Sequence, residues 1–182
     1  MKTRSNIYKM VISAMMLALA YVLPFLTGQV PEIGSMLCPM HIPVLLCGFF
    51  CGWYWGLGVG ITVPLFRSLT LGAPVLFPMA TAMAFELGCY GAIAGLLHKL
   101  LPQKRGFIYV SLLSAMLLGR CVWGIAMLIF TGAEQFGFSA FILGAFTNAV
   151  PGIILQIVLV PLAVALFEKT SISKQIKDIN LK

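Results

Sequence analysis

Two arginines, Arg67 and Arg120, stand inside long apolar runs, and His41, Glu86, Asn148 and Gln156 share that setting. An ionisable group at membrane depth costs roughly 2.5–3.5 kcal/mol on insertion scales and tends to face a bundle interior, a pathway or a site. A guanidinium placed there suits an anionic or carboxylate-bearing ligand. Trp123 follows Arg120 by three residues, Met127 follows Trp123 by four, and Tyr90 follows Glu86 by four. On a helix each set shares one face. The result is an apolar wall with a few polar anchors, the usual make-up of a small-molecule site.

Each of these residues also has a purely structural reading. Arg67 could snorkel to the headgroups. Arg120 and Glu86 could be an ion pair between two spans, which would leave Arg67 unmatched and the cavity net positive. His41 lies between Pro39 and Pro43 and could bond a freed backbone carbonyl. Asn148, on one stripe with Gly144 and Gly152, could bridge two helices. Cys38 and His41 are three apart, but two possible ligands are too few to argue for a metal. There is no CxxC pair among the five cysteines, which read as small buried apolar side chains. No H-E-x-x-H, G-x-S-G or G-x-x-x-x-G-K-S/T segment occurs, so neither an intramembrane protease nor an ATP-hydrolysing subunit is indicated.

These side chains must be held by membrane-spanning elements. Of 182 residues 60% are hydrophobic and 9% charged, and the mean hydropathy is +1.02. Soluble domains carry about 25% charged residues, so this chain lacks the polar surface to coat a water-exposed globule. The apolar runs are continuous, which excludes the alternating strands of a membrane barrel. Spans of about 20 residues leave no length for a separate soluble domain. The net charge of +7 reads as a topology signal rather than a nucleic-acid surface, because all but Arg67 and Arg120 of the twelve Lys and Arg residues fall in the N-terminus, the 98–105 loop and the basic tail 168–182.

Charge parity then sets the number of crossings. The basic N-terminus and the basic 98–105 loop should both face the cytoplasm, so an even number of spans lies between them. The run Ile42–Phe66 has no charge and, on hydropathy alone, reads as one long helix. Gly48, Gly52, Gly56 and Gly60 recur every four residues, which would also suit one helix with a small-residue face. Parity requires two short helices instead, with Trp53-Tyr54-Trp55 at the inner interface. The expectation is an all-α membrane protein, a bundle of six transmembrane helices over about 7–27, 37–52, 54–71, 77–97, 107–131 and 140–167, with N and C termini cytoplasmic. Most of the buried polarity then falls in the outer half, Arg67 and Arg120 each about 20 Å above the inner end. That pattern predicts a cavity open to the outside rather than a continuous pore. Ala14 and Ala18 form a small-xxx-small pair that lets another helix approach. The competing readings are a small channel or an assembly subunit without a ligand, and an intramembrane enzyme.

Taken together, AMMLA at Ala14–Ala18, MHIPVLL at Met40–Leu46, PLFRSLTLGAP at Pro64–Pro74, MAFELGCYG at Met83–Gly91, GRCVWG at Gly119–Gly124 and NAVPGIILQ at Asn148–Gln156 resemble the substrate-binding S components of energy-coupling factor (ECF) vitamin transporters over nearly the whole chain. The resemblance implies a six-helix bundle in the bacterial plasma membrane. It implies a high-affinity site for a vitamin or precursor at the outer face, and no cofactor. It also implies a partner transmembrane coupling subunit contacted through Ala14 and Ala18, and two ATPase subunits that power transport. On the residues above, the site set is Arg120, Asn148, Glu86, Arg67, Trp123, His41 and Tyr90. Pantothenate is the lead ligand because it is a carboxylate; pyridoxine and hydroxymethylpyrimidine stay open.

Overall fold

The computed structural model describes residues 2–27, 36–102 and 105–170. The chain runs through α1 (Lys2–Val22), a 3-10 turn (Leu23–Thr27), α2 (His41–Cys51), α3 (Trp53–Leu71), a π turn (Leu76–Ala80), α4 (Thr81–Leu100), α5 (Arg105–Thr131), α6 (Phe138–Ile142), a second π turn (Leu143–Thr147) and α7 (Val150–Glu168). Among the described residues there is no strand. Four segments are long and apolar enough to cross a membrane: Asn6–Phe25, Leu76–Leu100, Gly106–Thr131 and Val150–Glu168. His41–Cys51 and Phe138–Thr147 are shorter apolar helices.

The uncharged run Ile42–Phe66 is broken at one residue. Gly52 has φ 96° and ψ 172° and joins the end of α2 to the start of α3. Only glycine adopts that region readily. The two helices fold back on each other: a Cβ added to Gly56 would stand 2.8 Å from the Gly48 Cα. Both then lie against α4, where a side chain on Gly91 would overlap the Gly56 carbonyl and one on Gly60 would overlap the Leu87 carbonyl. The every-fourth glycines of the sequence are therefore the surface on which three backbones meet, with a corner in their midst.

The segment expected as one span over 140–167 is divided. After α6 the backbone shifts to a π turn, passes through Asn148-Ala149 and restarts as α7 at Val150. Pro151 suits the restart, since its missing N–H breaks no bond in a helix's first turn. Similarly α1 gives way to the 3-10 turn at Leu23-Pro24.

Two larger clusters and a small one of Ala82, Ala126 and Met127 form the core among the described residues. Leu45, Tyr90, Leu112, Met116, Val160 and Val164 join α2, α4, α5 and α7. Ala20, Val44, Cys47, Val59, Val63 and Leu87 join α1, α2, α3 and α4. Helices α2 and α4 belong to both larger clusters and so form the centre of the bundle. At one end, Phe50 stacks on Phe167 at 3.9 Å, and His98 Nε2 lies 3.8 Å from Glu168 Oε1. At the other, the Arg67 guanidinium donates to the Tyr21 carbonyl at 2.9 Å and covers the Phe25 ring at 5.2 Å.

Candidate functional site

Four elements bring polar side chains to one buried place. His41 is the first residue of α2, and its N–H donates to the Cys38 carbonyl at 3.1 Å. Cys38 has φ 47°, a left-handed conformation that turns the chain before Pro39. On α4, Glu86 and Tyr90 are one turn apart and face the same way; the Glu86 side chain is buried and Tyr90 wholly so. Arg120 comes from α5 and is buried as well. Gln156, wholly buried, comes from α7. It lies on the inward stripe between Gly152, where a Cβ would stand 2.7 Å from the Leu37 carbonyl, and Val160 in the core with Leu45 and Tyr90.

The contacts are specific. His41 Nε2 stands 3.5 Å from Glu86 Oε1, and the His41 ring meets the Tyr90 ring edge-on at 5.2 Å. Arg120 Nη2 donates to Cys38 Sγ at 3.9 Å. Gly119 is the seat of Tyr90: any Cβ there would overlap the phenol ring. Cys38, Glu86, Tyr90 and Arg120 lie near enough for their charges to act on one another.

Much of this polarity is unmatched. Both His41 ring nitrogens, Tyr90 Oη, Arg120 Nε and both polar atoms of the Gln156 amide are buried without a hydrogen-bond partner. The His41–Glu86 approach is within ion-pair range but lacks hydrogen-bond geometry. An unsatisfied buried polar group costs about 1–3 kcal/mol, and native interiors satisfy nearly all of them. Four residues, His41, Tyr90, Arg120 and Gln156, thus carry spare buried donors and acceptors of the kind a polar molecule can satisfy.

Among the described residues, Glu86 meets His41 and not Arg120, so the ion pair considered from sequence is not formed. Arg67 is buried, but the contacts it makes are with Tyr21 and Phe25; it ties α3 to the end of α1 rather than joining Arg120. The cluster thus contains one arginine and one glutamate. Trp123 turns to the other side of α5, edge-on to Phe136 at 5.4 Å and closed over Gly144. Asn148 is exposed in the turn before α7. Cys38 and Gln156 stand beside the expected set. The signal for Gln156 was its isolation as a polar residue in an apolar run; for Gly119 it was the GRCVWG segment itself.

On the opposite flank, Ala14 and Ala18 are exposed on α1. Ala14, Leu17, Tyr54, Gly58 and Ile61 line a groove between α1 and α3. No curated protein and no solved structure is similar enough to match the chain. The family model described as "ECF transporter, substrate-specific component" matches residues 8–164. A match of that extent over an all-helical, apolar chain is decisive: this protein belongs to the substrate-specific components of ECF transporters, multi-pass membrane subunits that serve transport and are not enzymes.

Proposed function

We propose that the protein binds a small vitamin or vitamin precursor among His41, Glu86, Tyr90, Arg120 and Gln156, and delivers it across the bacterial plasma membrane. The observation that carries this reading is the set of buried donors and acceptors without partners. Arg120 Nε offers a charge-assisted bond to a carboxylate. The Tyr90 hydroxyl, the Gln156 amide and His41 Nδ1 offer neutral bonds to hydroxyl or amide groups. Pantothenate has a carboxylate, an amide and hydroxyls and remains the lead ligand; pyridoxine and hydroxymethylpyrimidine lack the carboxylate. Arg67 contributes positive charge at longer range, and Trp123, which packs on Phe136 and Gly144, stands away from the bound molecule.

Six crossings place both termini and the 98–105 loop in the cytoplasm, with the site opening outward. Ala14 and Ala18 face a transmembrane coupling subunit, whose two ATPase partners hydrolyse ATP. Mass spectrometry of small molecules extracted with the purified protein tests the ligand. Equilibrium binding of pantothenate without ATP tests the site. Arg120→Ala should weaken binding by roughly ten- to hundredfold, the size of a charge-assisted hydrogen bond. Unchanged affinity in a folded variant would remove Arg120 as the anchor.

A further inference from the structure

Helices α2 and α7 lie side by side and run the same way. Val160 and Val164 of α7 share a core cluster with Leu45 and Phe49 of α2, and Phe167 stacks on Phe50. Residues four apart share a helix face. One turn back from Leu45 is His41, and one turn back from Val160 is Gln156. A further turn back, Gly152 packs on the chain just before α2, where a Cβ on it would stand 2.7 Å from the Leu37 carbonyl. The register therefore sets His41 and Gln156 at one level of the seam, between close packing on either side.

His41 is buried and Gln156 wholly so. Both ring nitrogens and both polar atoms of the amide lack a hydrogen-bond partner, so the two side chains do not bond each other. A glutamine amide carries a donor and an acceptor on one carbon, in one plane. Its complement is an edge with an acceptor and a donor side by side, which is how glutamine reads adenine. A carboxylate, which only accepts, answers half of it. We infer that Gln156 is the specificity-determining residue of the site, reading an uncharged ligand edge on which a hydrogen-bond donor and acceptor stand side by side in the seam between α2 and α7. The inference rests on the ligand site proposed above and names the chemical group that this site selects. Pantothenate has such an edge in the hydroxyl beside its amide carbonyl. Hydroxymethylpyrimidine has one in the amino group beside a ring nitrogen.

The test crosses an edit in the ligand with an edit in the protein. Equilibrium binding to the full chain compares pantothenate with its analogue lacking that hydroxyl, and hydroxymethylpyrimidine with its analogue lacking the amino group. For whichever vitamin binds, losing the group should weaken binding by roughly ten- to hundredfold, the consequence of a buried group left unpaired. In Gln156→Met the two members of the pair should bind alike, because the amide that told them apart is gone. A purely structural glutamine would leave the ratio as it was. An unchanged ratio in folded Gln156→Met overturns the inference, and if Arg120→Ala still weakens binding the proposed function stands without it. The ligand-free protein gives a second reading. Removing an unpaired buried amide relieves the interior, so Gln156→Met and Gln156→Leu should unfold at the midpoint of the unsubstituted protein or above it. If both unfold lower, Gln156 is paired within the protein and the inference falls. If neither vitamin binds, the proposed ligands fail and these midpoints alone decide the inference.

Discussion

Gly119 shows how one missing side chain shapes a site. Its hydrogen leaves room for the Tyr90 ring to lie against α5, next to Arg120. Gly119→Val must displace a ring that is wholly buried, and overpacking of this kind costs about 1–3 kcal/mol. The expected outcome is a lower unfolding midpoint in detergent together with lost ligand affinity. Gly119→Val with both unchanged would mean that Tyr90 has another seat. Arg67 gives the contrasting case. Removing its bond to the Tyr21 carbonyl should lower stability by about 1–3 kcal/mol. Arg67→Ala should nevertheless change affinity less than Arg120→Ala, and binding isotherms of the two variants decide the ranking. Sequence spacing put Glu86 and Tyr90 on one face, and the structure has them there. It could not choose Glu86's partner, because a helical period fixes which way a side chain points and not which neighbouring helix it meets. Arg67 and Arg120 looked alike for the same reason: both are lone guanidinia in apolar runs, and only the end of α1 distinguishes them.

At the scale of helices, the corner at Gly52 is the feature hydropathy hides. Nothing in the composition of Ile42–Phe66 marks a break, and its glycines serve close packing and turning at once. Charge parity was the argument that required a division. Gly52→Ala would force a Cβ into a backbone region that is nearly glycine-only, at about 1–3 kcal/mol. The expected reading is a reduced unfolding midpoint with the ligand site retained. The division of the last expected span was less legible. Pro151-Gly152 signalled a break, but a π turn arises from a local shift in hydrogen-bond register that leaves no period in the sequence. On α1, Ala14 and Ala18 lie open. Ala14→Trp with Ala18→Trp should leave pantothenate binding intact and block co-purification with the coupling subunit. Normal assembly of the double variant would move the interface elsewhere.

For the molecule as a whole, polarity is distributed end to end. Lys9, Trp53, His98 and Glu168 gather around one end, and Arg67 with Tyr21 marks the other. A cysteine placed at Glu134 should react with an impermeant thiol reagent in intact cells, and one at Lys104 only after permeabilisation. Reversed labelling would invert the proposed orientation. This distribution was legible because charged residues cannot hide in an apolar chain, whereas the identity of a bound solute leaves no comparable trace.

The shortness of α2 has a consequence for access. Eleven residues make a rod of about 16 Å, roughly half of a hydrocarbon core of about 30 Å. In the proposed orientation, with the Gly52 corner at the cytoplasmic face, a helix of that length would bring His41 close to the bilayer midplane. In that orientation a nutrient reaching this histidine would cross the depth of a whole leaflet before it met the polar cluster.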